Sequence, residues 1–293
     1  MTYNNKLSKC VILFTGFNQR AVIAFLRSLA KNNVDCAIVA KSESDTIMLS
    51  KYRGSVCCVR RNNNLILSDI LSIIEDIKKI KNADEYIIAP STEGLNRFLL
   101  NNRASFGSEI IIPIVDKSLY EIISDKYSFS SLCRNMNFCV PSEYSTIDNT
   151  KIPFVAKPKK YLDDNGKTYS PVLIFSKSEE QKFYEDHNSE DFYFHEYVCG
   201  DSYYLLYYFL SNGCAIRYSQ QNIAQQPQGK SIVAAVSSRV HKEMIADDYE
   251  SLFHKLGYRG FVMIELRKTD KEYYMIEANP RFWGPSQLFI DAG

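Results

Sequence analysis

The amino-acid sequence predicts an α/β domain with a parallel sheet, followed by an α+β domain. Residues 1–115 alternate short β-rich runs with stretches of helical periodicity, an arrangement typical of doubly wound parallel sheets. From Asp116 onward a helix is followed by runs of strands with few helices between them, which favours an α+β body. The 293 residues are enough for two such domains.

Five strands and three helices are predicted in the first domain. The predicted strands are residues 10–15, 36–40, 55–59, 86–89 and 109–113, and the predicted helices are residues 19–32, 65–80 and 93–101. Thr92 is the expected N-cap of the third helix. The first strand-to-helix turn contains Gly16 but lacks the Gly-x-Gly-x-x-Gly pattern of dinucleotide-binding loops. We therefore expect Gly16 to relieve a tight turn.

The second domain is predicted to combine helices with hairpin strands. The predicted helices are residues 126–136 and 176–184, and the predicted strands are residues 153–157, 172–175, 192–198 and 203–210. Ser178 is the expected cap of the second of these helices. The segment from Arg217 to Arg239 is rich in Gln and Ser, a composition typical of solvated surface.

Composition and charge exclude several classes of protein. Lys and Arg total 35 against 34 Asp and Glu, so the net charge of +1 gives no overall attraction to nucleic acid or to an anionic membrane. The apolar run at residues 10–14 is far shorter than a membrane span, and no signal segment precedes it. The eight cysteines include no Cys-x-x-Cys pair, so we expect reduced thiols, a cytoplasmic location and no zinc site.

The most informative stretch is residues 260–284, where two strands flank a polar turn. With the turn centred on residue 271, Glu265 lies directly across from Glu277, and Asn279 and Arg281 share the face of Glu277. Two facing carboxylates repel each other unless a cation lies between them. Two carboxylates and an amide oxygen suit Mg²⁺, which completes its shell with water and phosphates. The alternative is a surface hairpin whose carboxylates point into solvent.

The hairpin ends in a recognisable motif. Residues 277–281 read Glu-Ala-Asn-Pro-Arg, and together with Glu265 they resemble the closing metal-binding motif of the ATP-grasp superfamily. The Phe-Trp-Gly that follows at residues 282–284 resembles the carbamoyl-phosphate-synthase-like branch of carboxylate–amine ligases. The resemblance implies a small ATP-grasp lobe at residues 116–190 and a large lobe at residues 191–293. It also implies a Rossmann-like pre-ATP-grasp domain at residues 1–115.

Further motifs follow the order that the superfamily has. Asp125-Lys126 and the strand at residues 154–158, which carries Lys157, resemble the two elements whose lysines reach the nucleotide phosphates. Residues 195–200 resemble the hinge strand between the lobes, which borders adenine, and the ribose-binding acid falls at Asp201. The resemblance thus implies these nucleotide-binding residues: Lys126, Lys157, Glu196, Tyr197, Val198 and Asp201.

The sequence departs from the superfamily pattern in three places. Residues 159–167 contain one glycine, where the superfamily has a glycine-rich loop over the phosphates. Lys159, Lys160 and Lys167 either supply charge there instead or, as is more typical for at least two of them, form a solvated basic loop. Asp201 is displaced from the usual place of the ribose-binding acid. The branch continues for many residues beyond the position of Gly293, so the sequence is either a piece of a longer chain or a shortened member.

The resemblance implies an ATP-dependent carboxylate–amine ligase. A substrate carboxylate attacks the γ-phosphate of ATP, and an amine then captures the acyl phosphate to form an amide, with release of ADP and phosphate. Glu265, Glu277 and Asn279 are the implied ligands of Mg²⁺ or Mn²⁺. Lys157 and Arg281 are the implied catalytic residues, Arg281 by holding the substrate carboxylate or the acyl-phosphate oxygens.

Two other functions stay open at the level of sequence. One is phosphorylation of bicarbonate or carbamate, suggested by the Phe-Trp-Gly extension. The other is an ATP-binding module without turnover, suggested by the glycine-poor loop. The resemblance also makes Arg239 a second, weaker candidate for binding carboxylate or phosphate, because the corresponding region of the superfamily approaches the acceptor site. The expected partners are a small-molecule carboxylate and an amine, and a homodimer is left open.

Overall fold

A computed structural model describes residues 7–145, 151–160, 168–229 and 231–292. The chain divides into two compact units. Unit 1 comprises Met1–Lys117, Arg259–Phe261 and Arg281–Gly293, and unit 2 comprises Ser118–Tyr258 and Val262–Pro280. The predicted ranges treated each domain as one continuous stretch. The structure differs because residues 281–293 pack with unit 1.

Strands and helices are numbered in chain order. The strands are β1 (Lys9–Phe14), β2 (Cys36–Ala40), β3 (Val56–Val59), β4 (Glu85–Ile88), β5 (Ile110–Ile111), β6 (Phe154–Pro158), β7 (Val172–Ile174), β8 (Phe192–Glu196), β9 (Asp201–Phe209), β10 (Ala215–Gln225), β11 (Ile232–Ser237), β12 (Gly260–Lys268) and β13 (Tyr273–Asn279). The α-helices are α1 (Gln19–Lys31), α2 (Leu67–Ile80), α3 (Glu93–Asn101), α4 (Lys117–Ser124), α5 (Lys126–Asn135), α6 (Lys177–Asp186), α7 (Met244–Lys255) and α8 (Ser286–Asp291). In the part of the chain described, no helix has the length and apolarity needed to cross a membrane.

Unit 1 contains a five-stranded parallel sheet in the order β3-β2-β1-β4-β5. Val11 of the central strand pairs with Cys36 of β2 on one side and with Ile87 of β4 on the other. Strands β1 and β2 are buried along nearly their whole length, since uninterrupted apolar runs suit a sheet covered on both faces. The parallel pairing of all neighbours confirms the predicted fold class of the first domain.

The C-terminal residues belong to unit 1 because they complete its core. The ring centroid of Phe282 lies 4.6 Å from that of Phe25 on α1, and the Asn18 amide donates to the Phe282 carbonyl at 2.9 Å. The turn between β1 and α1 requires glycine, as predicted. Gly16 has a φ of 92°, and a Cβ there would lie 2.3 Å from the Cβ of Lys41.

Unit 2 contains two antiparallel sheets, a three-stranded sheet in the order β7-β6-β8 and a five-stranded sheet in the order β11-β10-β9-β12-β13. One face of the three-stranded sheet packs into an apolar cluster, which leaves Lys157 and His195 on the opposite face. The cluster consists of Phe154, Ala156, Ile174, Phe183, Phe192 and Phe194. Helix α7 packs on the five-stranded sheet, where the Tyr207 hydroxyl donates to the Ala246 carbonyl at 2.7 Å. These sheets confirm the predicted α+β class.

Two local predictions in unit 2 are wrong. The cap of α6 is Ser176, whose hydroxyl accepts from the Glu179 N–H at 3.2 Å, and Ser178 lies inside the helix. The polar segment from Arg217 to Arg239 is not solvated throughout, because β10 and β11 occupy most of it. The buried polar residues of β10 are Ser219, Gln220 and Asn222.

Candidate functional site

The hairpin of β12 and β13 brings the predicted acidic ligands together. Glu265 pairs with Glu277 and Met263 pairs with Asn279, so the four side chains share one face of the sheet. Glu265 and Asn279 are only 9% and 7% exposed. The pairing of the two glutamates confirms the predicted register at this point, and the burial contradicts the alternative of a solvent-facing hairpin.

The sequence predicted a hairpin that is symmetric about residue 271, and the structure differs from this prediction. Nearer the turn, Leu266 pairs with Met275, so the register shifts by one residue between Leu266 and Glu265. Ile276 is the extra residue, which makes it a β-bulge. Because of this extra residue, the side chain of Glu277 lies opposite that of Glu265.

The two glutamates carry opposite pKa shifts. Burial, and next the charge of Glu277, raise the pKa of Glu265 to about 7, while Arg267 opposes this shift. Burial also acts to raise the pKa of Glu277, but Lys126 and Lys157 outweigh it and lower that pKa to about 2. Glu277 is therefore the firmly ionised member of the pair.

Lys126 contacts the acidic pair from the start of α5. Asp125 caps this helix, since its carboxylate accepts from the Ser128 N–H at 2.7 Å. The Lys126 ammonium forms an ion pair with the Glu277 carboxylate. The helix start thus places one predicted phosphate-binding lysine against one predicted metal ligand.

Lys157 approaches the same pair from β6. Its side chain is buried, and its ammonium donates to the carbonyl of Ile276 at 2.6 Å. Burial, and next the charge of Lys126, lower the pKa of Lys157 to about 8. The charge remains on Lys157 at neutral pH because Glu277 and Glu265 oppose this shift.

His195 and Glu196 end β8, so the strand stops within the predicted hinge of residues 195–200. The His195 Nδ1 lies 2.7 Å from the Glu196 carbonyl, which makes Nδ1 the protonated nitrogen, and the buried Nε2 has no hydrogen-bond partner among the described residues. Burial, and next the charge of Lys157, lower the pKa of His195 to about 3. The Glu196 carboxylate accepts from the Ser142 N–H at 2.9 Å. This bond ties β8 to the segment before β6.

The remaining predicted hinge residues lie beyond β8. Tyr197 packs edge-on against Phe175, with ring centroids 5.0 Å apart. Val198 is half-buried in the turn to β9, and Asp201 begins β9 with an exposed side chain that accepts from Gln221 at 3.3 Å. Their roles around adenine and ribose stay predictions.

Other predicted residues lie on other elements, and part of one predicted loop lies outside the described residues. Strand β13 ends at Asn279, so Arg281 does not continue its face. Arg281 belongs to unit 1, where its guanidinium donates to the Phe282 carbonyl at 2.9 Å. Arg239 precedes a short 3-10 helix at Val240–Lys242. Of the glycine-poor loop at residues 159–167, residues 161–167 lie outside the described residues.

The donor set fits a hard divalent cation. Carboxylate oxygens of Glu265 and Glu277 lie on one face with the amide of Asn279, whose nitrogen donates to Glu277 at 2.7 Å. The raised pKa of Glu265 shows that the surrounding cations do not fully compensate its buried charge. Among the described residues, no group of three or more His, Cys, Asp or Glu forms a metal site, so a site here relies on two carboxylates and an amide.

Sequence reasoning missed three contributors to this cluster. Arg267 lies 3.7 Å from Glu265, and its place two residues along the same strand was a usable signal. His195 occupies the face of Lys157, which alternation along β8 also indicates. The bulge at Ile276 has no signal in the sequence, because it depends on pairing across the hairpin.

Comparisons with known proteins come from structure alone. No protein-family model matches the chain, and no curated protein matches it. The biotin carboxylase of Campylobacter jejuni, in a complex with β-γ-ATP, has a TM-score of 0.68 at 13% identity, over 97% of this chain and 67% of that one. The N5-carboxyaminoimidazole synthetase of Staphylococcus aureus has a TM-score of 0.68 at 13% identity, over 99% and 75%. The L-amino acid ligase of Bacillus licheniformis has a TM-score of 0.67 at 12% identity, over 97% and 70%.

This chain therefore spans about two thirds to three quarters of the length of these neighbours. The likeness covers both units. The chain has the ATP-grasp fold.

Proposed function

We propose that this protein is an ATP-dependent carboxylate–amine ligase, which forms an amide through an acyl phosphate and releases ADP and phosphate. The observation that carries the proposal is the convergence of two lysines on a pair of facing glutamates in unit 2, of which Glu265 is buried and Glu277 is half-buried. A carboxylate does not react with an amine at neutral pH, so the reaction needs a phosphoryl transfer to create a leaving group. A lysine and carboxylate cluster suits that transfer because it binds both phosphate and its counter-cation.

In this proposal, Lys126 and Lys157 bind the phosphates of ATP. Both lysine side chains start from rigid elements, the first turn of α5 and the strand β6, which fixes where positive charge meets the transferred group. Glu265, Glu277 and Asn279 hold Mg²⁺ or Mn²⁺, which neutralises phosphate charge when bound. Glu196, Tyr197, Val198 and Asp201 border the nucleoside.

Arg281 is proposed to hold the substrate carboxylate and later the acyl phosphate. A guanidinium binds such oxygens through two parallel hydrogen bonds and stays charged at any physiological pH. Arg239 is the second candidate for this role. Residues 1–115 are the proposed substrate domain, since ligands of open parallel sheets bind at the carboxyl ends of the strands.

A second candidate is phosphorylation of bicarbonate or carbamate. Among the structural neighbours, the biotin carboxylase domain of the Hydrogenobacter thermophilus 2-oxoglutarate carboxylase is described in complex with MgADP and bicarbonate, with a TM-score of 0.68. This neighbour supports an ATP and Mg²⁺ site in the proposal, and it makes bicarbonate the first alternative acceptor to test.

The first prediction is substrate-dependent release of ADP. The full chain is incubated with ATP and Mg²⁺ and screened against amino acids in pairs, small organic acids with amines, and bicarbonate. We expect ADP release to require a carboxylate and to yield an amide detectable by mass spectrometry. Glu277→Gln removes the ionised member of the acidic pair, and we expect it to lower the turnover rate at least about 100-fold.

The matched control is Glu185→Gln, the same substitution at an exposed position on α6. It should retain wild-type turnover. ADP release with bicarbonate alone would contradict the ligase proposal and support the second candidate function. ATP binding without any substrate-dependent turnover would show that the chain is a nucleotide-binding module instead.

Location and assembly complete the proposal. All eight cysteines are free in the structure, which supports a reducing compartment such as the cytoplasm. The Hydrogenobacter thermophilus neighbour is described as a domain dimer, which supports a homodimer here. Analytical ultracentrifugation measures the assembly directly.

A further inference from the structure

The bulge at Ile276 decides on which face of the sheet Glu277 lies. Without the extra residue, the pairing from Leu266 and Met275 would continue, and Glu265 would face Ile276. Glu277 would then pair with Ile264 and point to the opposite face, since successive side chains of a strand alternate. The facing pair of glutamates therefore exists only while the bulge is maintained.

A bulge leaves one residue outside the regular ladder, so its backbone groups need another partner. The carbonyl of Ile276 has such a partner in Lys157, whose ammonium donates to it at 2.6 Å. Lys157 starts from β6 of the three-stranded sheet, whereas Ile276 belongs to β13 of the five-stranded sheet. One buried side chain thus connects the two sheets of unit 2 at the residue that sets the register.

We propose that Lys157 is a positioning residue for the acidic pair, in addition to its place in the nucleotide site. By holding the Ile276 carbonyl, Lys157 maintains the bulge and keeps Glu277 opposite Glu265. The relevance of this role to metal binding rests on the proposed function, but the role itself is a property of the hairpin and is measurable without any ligand.

Lys126 provides a matched control for this role. Both lysines carry one positive charge beside Glu277, and both lower its pKa. Lys126 pairs with the Glu277 carboxylate, whereas Lys157 donates to the backbone of Ile276. Substitution of either lysine by Met removes one charge, but only substitution of Lys157 removes the bond to the bulge.

The test is hydrogen exchange of the backbone amides in β13 of the full chain, followed by mass spectrometry. We expect Lys157→Met to accelerate exchange in the peptide that covers Ile276 and Glu277 about tenfold, because a hydrogen bond that holds the bulge is lost. We expect Lys126→Met to change it less than about threefold. Equal acceleration in both variants, or none in Lys157→Met, would overturn the proposal.

A wild-type measurement covers the case in which Lys157→Met does not fold. In ¹⁵N- and ¹³C-labelled protein, the Lys157 ammonium should give a signal protected from exchange with water and coupled to the Ile276 carbonyl carbon. An ammonium that exchanges freely and lacks this coupling would overturn the proposal.

Binding of Mn²⁺ alone separates this role from the proposed function. Loss of a nearby positive charge by itself strengthens binding of a cation, whereas loss of the bulge weakens it, so the two effects have opposite signs. We expect Lys157→Met to weaken Mn²⁺ binding about tenfold and Lys126→Met to strengthen it. Tighter binding in both variants would reject the positioning role. Absence of Mn²⁺ binding in the wild type would count against the metal site, and the hydrogen-exchange result would still decide the role of Lys157.

Discussion

The parallel sheet of unit 1 and the five-stranded sheet of unit 2 differ in what they bury. In unit 1, β1 and β2 bury almost only apolar side chains, such as Leu13 and Ile38. In unit 2, the sheet also buries Gln220, Asn222 and the carboxylate of Glu265. Apolar burial stabilises a fold, whereas each buried polar or charged group costs free energy unless its partners compensate it.

This difference indicates a division of roles between the two regions. The sheet of unit 1 is a scaffold held mainly by apolar burial. The face of unit 2 that carries Glu265 and Glu277 holds like charges together and depends on Lys126, Lys157 and Arg267 to do so. Such an arrangement is poor as a stabilising element and suited to binding charged ligands.

The largest expected effect is in the scaffold of unit 1. Leu13→Ala removes a fully buried side chain from β1, and we expect it to lower the free energy of unfolding by about 2–5 kcal/mol. Chemical denaturation measures this change. Leu49→Ala, at a position that is 90% exposed, is the matched control and should change the free energy by less than about 0.5 kcal/mol. A small effect at Leu13 would mean that unit 1 does not depend on its sheet core.

A second prediction concerns the buried charge of unit 2 and has the opposite sign. Because the pKa of Glu265 is raised to about 7, its ionisation opposes folding, and this cost is present at pH values above 7 and absent below about 4.5. Glu265→Gln removes the ionisation, so we expect it to stabilise the fold by about 1–2 kcal/mol at pH 8. At pH 4.5 we expect no gain in stability. We also expect the variant to lose Mg²⁺-dependent activity.

Glu277→Gln is the matched partner of that substitution, on the facing strand. The pKa of Glu277 is lowered, so its charge stabilises the fold, and we expect this variant to be less stable than the wild type at pH 8. Thermal unfolding at the two pH values distinguishes the variants. Destabilisation by both, to the same extent, would show that the two carboxylates are equivalent and would remove the electrostatic distinction between them.

The same contrast explains how much the sequence could predict. The strands of unit 1 were predicted closely, because apolar runs and helical periodicity are local and the sheet follows from them. The facing of Glu265 and Glu277 was predicted from a turn centred on residue 271, but it depends on the bulge at Ile276, which has no signal in the sequence. Asp125 was predictable as a helix start because a cap is a local feature.

The rest of the site depends on contacts between distant segments. The hydrogen bond from Lys157 to Ile276 joins residues 119 positions apart, and no local sequence pattern predicts it. The burial of Gln220 and Asn222 was mispredicted because a polar composition suggests solvent, whereas their position in β10 places them inside a polar network. Residues 281–293 belong to unit 1 because α8 packs on α1, which is also a contact between distant segments.

The smallest expected effect is the pH dependence that His195 contributes. Its pKa is lowered to about 3, so the folded protein keeps it neutral, whereas the unfolded chain protonates it below its ordinary pKa of 6.5. The unfolded state then binds more protons, and stability falls as the pH drops from 6.5 towards 3. Between pH 7 and pH 5.5 this group alone should remove about 1 kcal/mol. His195→Asn keeps an N–H donor near the position of Nδ1 but does not titrate. Between these two pH values we therefore expect the variant to lose about 1 kcal/mol less free energy of unfolding than the wild type, as measured by urea denaturation. If variant and wild type lose the same amount, His195 is free to protonate in the folded protein.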